Sequence, residues 1–249
     1  MTKVLLFLFI TSFNLAYSHD HFPKTKTNFS GHDSFIRLFK TTGNVTFKFD
    51  YENGRRYDEH KSSRLEFGAY YRIARSQQIG AFVGELNGQR HTNDWAVKDG
   101  EWAWQDTSDR VERFMNLVYI GRYRFSQLDP TLYTLKATYA VNSFNDQNTI
   151  IVEPGFHFFN LEKNIPTWSL KASIPFYYAI NFDRKELYKK GFYINFLKHF
   201  GKNFAIGLNF KYLNETWDLS EDFIKDSPGE KYIAQDVSQT VGLSLICNL

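Results

Sequence analysis

Three groups of residues have the types and spacing for chemistry. His60-Lys61-Ser62, followed by Glu66, supplies a hydroxyl, an imidazole and a carboxylate. A serine attacks only with a base in hydrogen-bond reach and a third group orienting that base. Residues two apart on a strand share a face, which would set His60 beside Ser62. His91, Asp106 and Asp109 form a second set, in which carboxylates and an imidazole could activate water. Asp106-Thr107-Ser108-Asp109 is equally the composition of a solvated turn. Neither set earns an assignment as catalytic, and a hydrolase ranks third among the functions considered. The third group is Trp95, Trp102 and Trp104, three of the five tryptophans, close to Arg90, Asp94, Lys98 and Arg110. Exposed indoles beside charge suit surface binding, and they suit hairpin packing or a lipid-headgroup position as well. His19-x-His21 has no companion at the spacing of a structural metal site, and no glycine-rich phosphate motif occurs. No metal or cofactor is expected.

The elements that must carry these residues alternate with period two. In Leu65-Glu66-Phe67-Gly68-Ala69-Tyr70-Tyr71-Arg72-Ile73 the odd positions are apolar, while Glu66 and Arg72 fall on the even ones. Trp168–Ile174, Phe204–Tyr212 and the C-terminal stretch through Val241, Leu243 and Leu245 do the same. A strand sends successive side chains to opposite faces, so each segment has one greasy face and one wet face. About ten segments follow: 44–53, 63–75, 78–91, 111–125, 131–143, 148–160, 167–180, 188–200, 203–216 and 233–247. A further strand at 34–41 would raise the count, and twelve is the upper figure. Most segments exceed the ~5–6 residues of globular strands and match the ~9–11 that cross a membrane at a tilt. Links after the second, fourth, sixth and eighth segments are short. Those after the third and ninth, Thr92–Arg110 and Trp217–Tyr232, are long. Within the first long link Asp99-Gly100 is a favoured two-residue hairpin centre, which predicts a paired flap.

Composition agrees. Aromatics make up 18% of 249 residues, a heavy load for a chain whose mean hydropathy is −0.44. No ~20-residue apolar run is present to cross a membrane as a helix. One cysteine, Cys247, excludes a disulfide framework, and 30 basic against 27 acidic residues give no electrostatic case for nucleic acid. Met1–Ser18 reads as a secretory signal peptide, with Lys3, a short apolar run and Ala16-Tyr17-Ser18 as a small-x-small cleavage site. Residues 19–43 then read as a periplasmic lead-in, and 44–249 as one barrel domain.

With its signal peptide and alternating segments, the chain resembles bacterial outer-membrane β-barrel proteins. The final strand adds to the likeness: Thr240-Val241-Gly242-Leu243-Ser244-Leu245-Ile246-Cys247-Asn248-Leu249 has a polar residue, a glycine two later and terminal hydrophobics. It departs by ending in leucine where an aromatic is usual. The resemblance implies a closed antiparallel transmembrane barrel of all-β class with a long extracellular hairpin flap. It also implies outer-membrane lipid, lipopolysaccharide and the barrel-insertion machinery as partners, the last through the C-terminal strand.

In the register that turns the apolar faces outward, the lumen receives Glu66, Arg72, Glu85, Arg122, Arg124, Lys136, Glu153, His157, Lys171, Lys211 and Asp236. Isolated charges are expensive in a narrow lumen, so pairing is expected. About ten strands leave no wide pore. The functional expectation is a narrow porin-like channel for small solutes in the cell outer membrane. A non-conducting barrel that binds through the Trp95, Trp102 and Trp104 flap is the alternative. A lipocalin-like barrel with the faces reversed is the soluble competitor.

Overall fold

The structure is a computed structural model that describes residues 26–56, 61–88, 95–98, 101–126, 130–143, 147–162, 165–181, 187–218 and 233–249. Strands form in every expected segment, although 167–180 is split in two at Ile174-Pro175 and 89–91 lie outside the described residues, and no helix occurs among the described residues. In chain order the strands are β1 (Lys26–Thr42), β2 (Val45–Arg56), β3 (Lys61–Ala74), β4 (Gln77–Asn87), β5 (Trp95–Lys98), β6 (Glu101–Trp104) and β7 (Val111–Tyr123). They continue with β8 (Thr131–Asn142), β9 (Gln147–Glu162), β10 (Ile165–Ser173), β11 (Phe176–Ala179), β12 (Leu187–Phe200), β13 (Phe204–Asp218) and β14 (Ile233–Asn248).

One sheet closes on itself. Around the ring the order is β1, β2, β3, β4, β7, β8, β9, β10, β12, β13 and β14, which returns to β1. β11 is an additional short strand that takes the same neighbours as β10, namely β9 and β12. Between them lie Ile174 and the fully buried Pro175, whose ring offers no N–H to the ladder. The Ile174 N–H instead donates to the Pro154 carbonyl at 2.9 Å.

An eleven-membered up-and-down ring is odd, so its first and last strands must run the same way. β1 and β14 pair in parallel from Lys26↔Gln235 to Phe39↔Asn248, and every other pair in the barrel is antiparallel. The barrel is thus closed as expected, and mixed rather than purely antiparallel. Most of the region expected as a lead-in, 19–43, is corrected by the same observation: Lys26–Thr42 is β1, hydrogen-bonded on both sides. Polar Gly31-His32-Asp33-Ser34 hid its alternation. β1 begins at the rim of the long links, and β14 ends at the rim of the short turns.

The flap forms a two-stranded sheet of its own. Trp95 stands opposite Trp104, and Val97 opposite Trp102.

The exterior is apolar and the interior polar. Phe67, Val83 and Leu243 are 56%, 56% and 58% exposed, whereas Glu66 and Glu112 keep only 5% and 2%. On β7 the outward residues Met115, Leu117, Tyr119 and Tyr123 alternate with buried Glu112, Phe114, Asn116 and Val118. Aromatic rings gather outside near the short-turn rim. Phe125 lies edge-on to Tyr123 and Tyr133, with centroids 5.0 and 4.8 Å away, and Trp168 sits between Phe158 and Phe196 at 5.3 and 5.8 Å.

Candidate functional site in the barrel lumen

Strict alternation in Phe47-Lys48-Phe49-Asp50-Tyr51-Glu52 puts three rings outside and three charges inside on β2. Antiparallel pairing then brings partners from neighbouring strands to the same height. Lys48 Nζ is 2.5 Å from Glu66 Oε1 and 3.0 Å from Asp50 Oδ2. Arg37 on β1 donates to Asp50 from Nη2 at 2.6 Å and from Nε at 3.0 Å. Arg64 also pairs with Glu66, and the Asn116 amide donates to the same carboxylate at 3.0 Å. Glu66 therefore anchors a belt drawn from β1, β2, β3 and β7.

A second knot joins Lys211 on β13 to Asp33 on β1, at 2.8 Å, and to Glu52 on β2. A third is built on Glu153: Lys136 Nζ lies 3.2 Å from Glu153 Oε2, and Ser173 Oγ donates to Oε1 at 2.6 Å.

 Both oxygens of the Glu153 carboxylate thereby have a partner. Near the long-link rim Lys189 pairs with Glu215 at 3.0 Å, and the Asn142 amide donates to Glu112 at 2.7 Å.

Aromatic side chains fill the space between these knots. Phe82, 2% exposed, lies across Gly68 on the neighbouring strand, where a Cβ would collide with the ring. Lys48 and Arg64 sit over the faces of Phe82 and Phe114, 5.2 and 4.8 Å from the centroids. Cation–π contact adds to the ion pairing there.

The expected lumen residues separate as follows. Glu66, Arg122, Lys136, Glu153, His157, Lys171 and Lys211 stand on the inward face. Arg72 shares that face but is exposed at the short-turn rim, and Arg124 lies past the end of β7, also exposed. Asp236 takes the register position opposite Glu215. Glu85 is a correction. It stands opposite Leu65 on the outer face and meets Arg113 at 3.6 Å, because Gly84 and Leu86, not Glu85, hold the inward positions of β4. Sequence reasoning missed Arg37, Lys48, Asp50 and Glu52, although the alternation from Phe47 to Glu52 carried the signal for the last three.

The groups considered for hydrolysis are not assembled by the described residues. Ser62 and Glu66 share a face of β3 but are four residues apart, about 13 Å at ~3.3 Å per residue. Asp106 Oδ1 accepts from the Ser108 N–H at 3.0 Å and the Ser108 hydroxyl at 2.6 Å, the bonds of a local turn. His60 and His91 lie outside the described residues, as does Asp99-Gly100.

No protein-family model matches the chain, and neither do the curated proteins or the solved structures with which it was compared. Fold and site together define a closed, mixed β-barrel with an apolar exterior and an ion-paired lumen.

Proposed function

We propose that this protein spans the bacterial outer membrane as a barrel with a narrow, hydrated lumen that passes small solutes. The observation that carries the reading is the inverted burial: Phe67, Val83 and Leu243 face outward while Lys48, Glu66 and Glu153 face inward. Lipid tails absorb such a surface at little cost, and water does not. From Met115 to Tyr123 the outer face of β7 is apolar over eight residue steps. That is about 26 Å of strand at ~3.3 Å per residue, and about 20 Å of height at a tilt of ~40°. The length approaches the ~25 Å apolar band of such barrels. The ring contacts of Tyr123, Phe125, Tyr133 and Trp168 suit an interfacial girdle, and the Glu85–Arg113 pair suits the headgroup level at the other edge. Met1–Ser18 supplies the export signal, and Thr240–Leu249 the segment read by the insertion machinery.

Hydration of the lumen is supported by acceptors that protein leaves unmet. Oδ1 of Asp33, Asp50, Asn195 and Asn209 is buried without a hydrogen-bond partner, and so is Oγ1 of Thr138. Buried polar atoms of this kind are ordinarily satisfied by water. One observation favours the second reading, a non-conducting barrel that displays the tryptophan flap to lipopolysaccharide or another partner. Phe82, Glu112, Ser169 and Ser244 are at most 2% exposed, so inward side chains pack closely at several heights of the barrel. Planar-bilayer recording of the purified, heat-modifiable form separates the two. Reproducible small conductance steps are expected; silence from a folded barrel would exclude the conduit and leave the display reading.

A further inference from the structure

The ion pairs leave one cationic corner of the lumen without a counter-charge. Arg37, Lys48, Arg64, Lys136, Lys189 and Lys211 each touch a carboxylate. Lys171 makes no ion pair or hydrogen bond with the described residues, and Arg122 donates to the neutral Gln78 amide oxygen at 2.8 Å. Lys171 on β10 stands opposite His157 on β9, whose Nε2 is buried and has no partner. Arg122 stands opposite Thr134 on β8, and Thr134 opposite Gly155 on β9, two residues before His157. His199 itself is engaged, with Nε2 2.8 Å from the fully buried Ser169 hydroxyl. The carboxylate acting on Lys171 is Glu153, already held by Lys136 and Ser173. These basic groups occupy the half of the barrel nearer the short turns: Arg122 is one residue from the end of β7, and His199 one from the end of β12. Glu52, Glu66, Glu112 and Glu215 lie farther toward the other rim.

An ammonium and a guanidinium that lack an internal counter-ion in a narrow lumen gain most from a mobile anion. A guanidinium fork matches two oxygens of one planar or tetrahedral oxyanion, the ammonium adds a point charge, and a neutral imidazole adds a donor. We propose that Lys171, Arg122 and His157 form a binding site for a small oxyanion, the phosphate or carboxylate of a solute, in the short-turn half of the lumen. The site rests on the hydrated lumen of the preceding reading but not on conduction.

Inorganic phosphate is the probe. Full-length folded protein in detergent micelles is titrated calorimetrically at constant ionic strength, with heat-modifiable mobility as the check on folding. Saturable binding is expected, weakened at least about tenfold by Lys171→Met and by Arg122→Gln. Lys171→Arg, which keeps the charge, retains it, and Lys40→Met, which removes an exposed lysine, leaves it unchanged. Absence of saturable binding overturns the site, as does wild-type affinity in folded Lys171→Met; if that variant does not fold, wild-type affinity in Arg122→Gln does so. A barrel that binds phosphate but is silent in bilayers keeps the site and loses the conduit. One that conducts without binding loses the site alone.

Discussion

Asp33 on β1 and Lys211 on β13 form an ion pair 2.8 Å long although β14 runs between their strands. The residue beneath that bridge is Gly242, opposite Asp33 on one side and Asn209 on the other. A Cβ at 242 would strike the Asp33 carbonyl and its Oδ1. The glycine read from sequence as part of an insertion signal thus also makes room for the lumen's bridge across the seam.

Gly242→Ala therefore overpacks the parallel closure. A loss of about 1–3 kcal/mol is expected, measured as a lower urea midpoint for the folded form in detergent. Unchanged stability would mean that β1 does not approach β14 as closely as the pairing requires.

Glu66 receives Lys48, Arg64 and Asn116 at once, so Glu66→Gln takes this carboxylate from Arg64 and leaves Lys48 with Asp50. Removing one partner of a buried pair costs about 3–5 kcal/mol, and a wet lumen reduces that figure. The checking measurement is a double-mutant cycle with Lys48→Met. A coupling of about 0.5–3 kcal/mol is expected; strict additivity would mean that the two groups do not pair in the folded protein.

The exterior offers the sharpest test of the lipid reading. Phe67→Arg and Leu117→Arg place a cation in the apolar band, where the expected cost is about 2–4 kcal/mol at mid-height. Insertion into liposomes should fall. In a water-soluble barrel the same changes at exposed positions would be neutral or would aid solubility, so undiminished yield without detergent would count against the membrane.

Sidedness follows from the ring. With Cys247→Ser as background, cysteines introduced at Ser30 and at Asn203 should react with a membrane-impermeant thiol reagent from opposite sides of a proteoliposome. Reaction from the same side would remove β1 from the ring.

Much of this was legible because strands with an apolar outer face and a polar inner one write their burial into the sequence: Leu65, Phe67 and Ile73 outside with Glu66 inside give both the strand and its orientation. The short turns needed only their length. What stayed hidden had local causes. β1 carries His32 and Ser34 on its outer face, so its alternation loses contrast where it should mark a strand. Glu85 was misplaced because a charge in a strand was read as a lumen charge, whereas near a rim it can meet Arg113 outside. The belt around Glu66 joins β1, β2, β3 and β7, and no single segment reveals which strands will be neighbours. The register that unites them is a property of closure.

The parity of the ring also bears on how such a molecule could arise. Gain or loss of a whole hairpin changes a strand count by two and can never turn an even cylinder into an odd one. Deleting β1 alone would leave β2 to β14 as a ten-membered ring in which every neighbour is antiparallel, with Val45 and Asn248 at the same rim. The first strand is thus separable from the remainder in topology, and duplication of whole hairpins alone does not produce a ring of this parity.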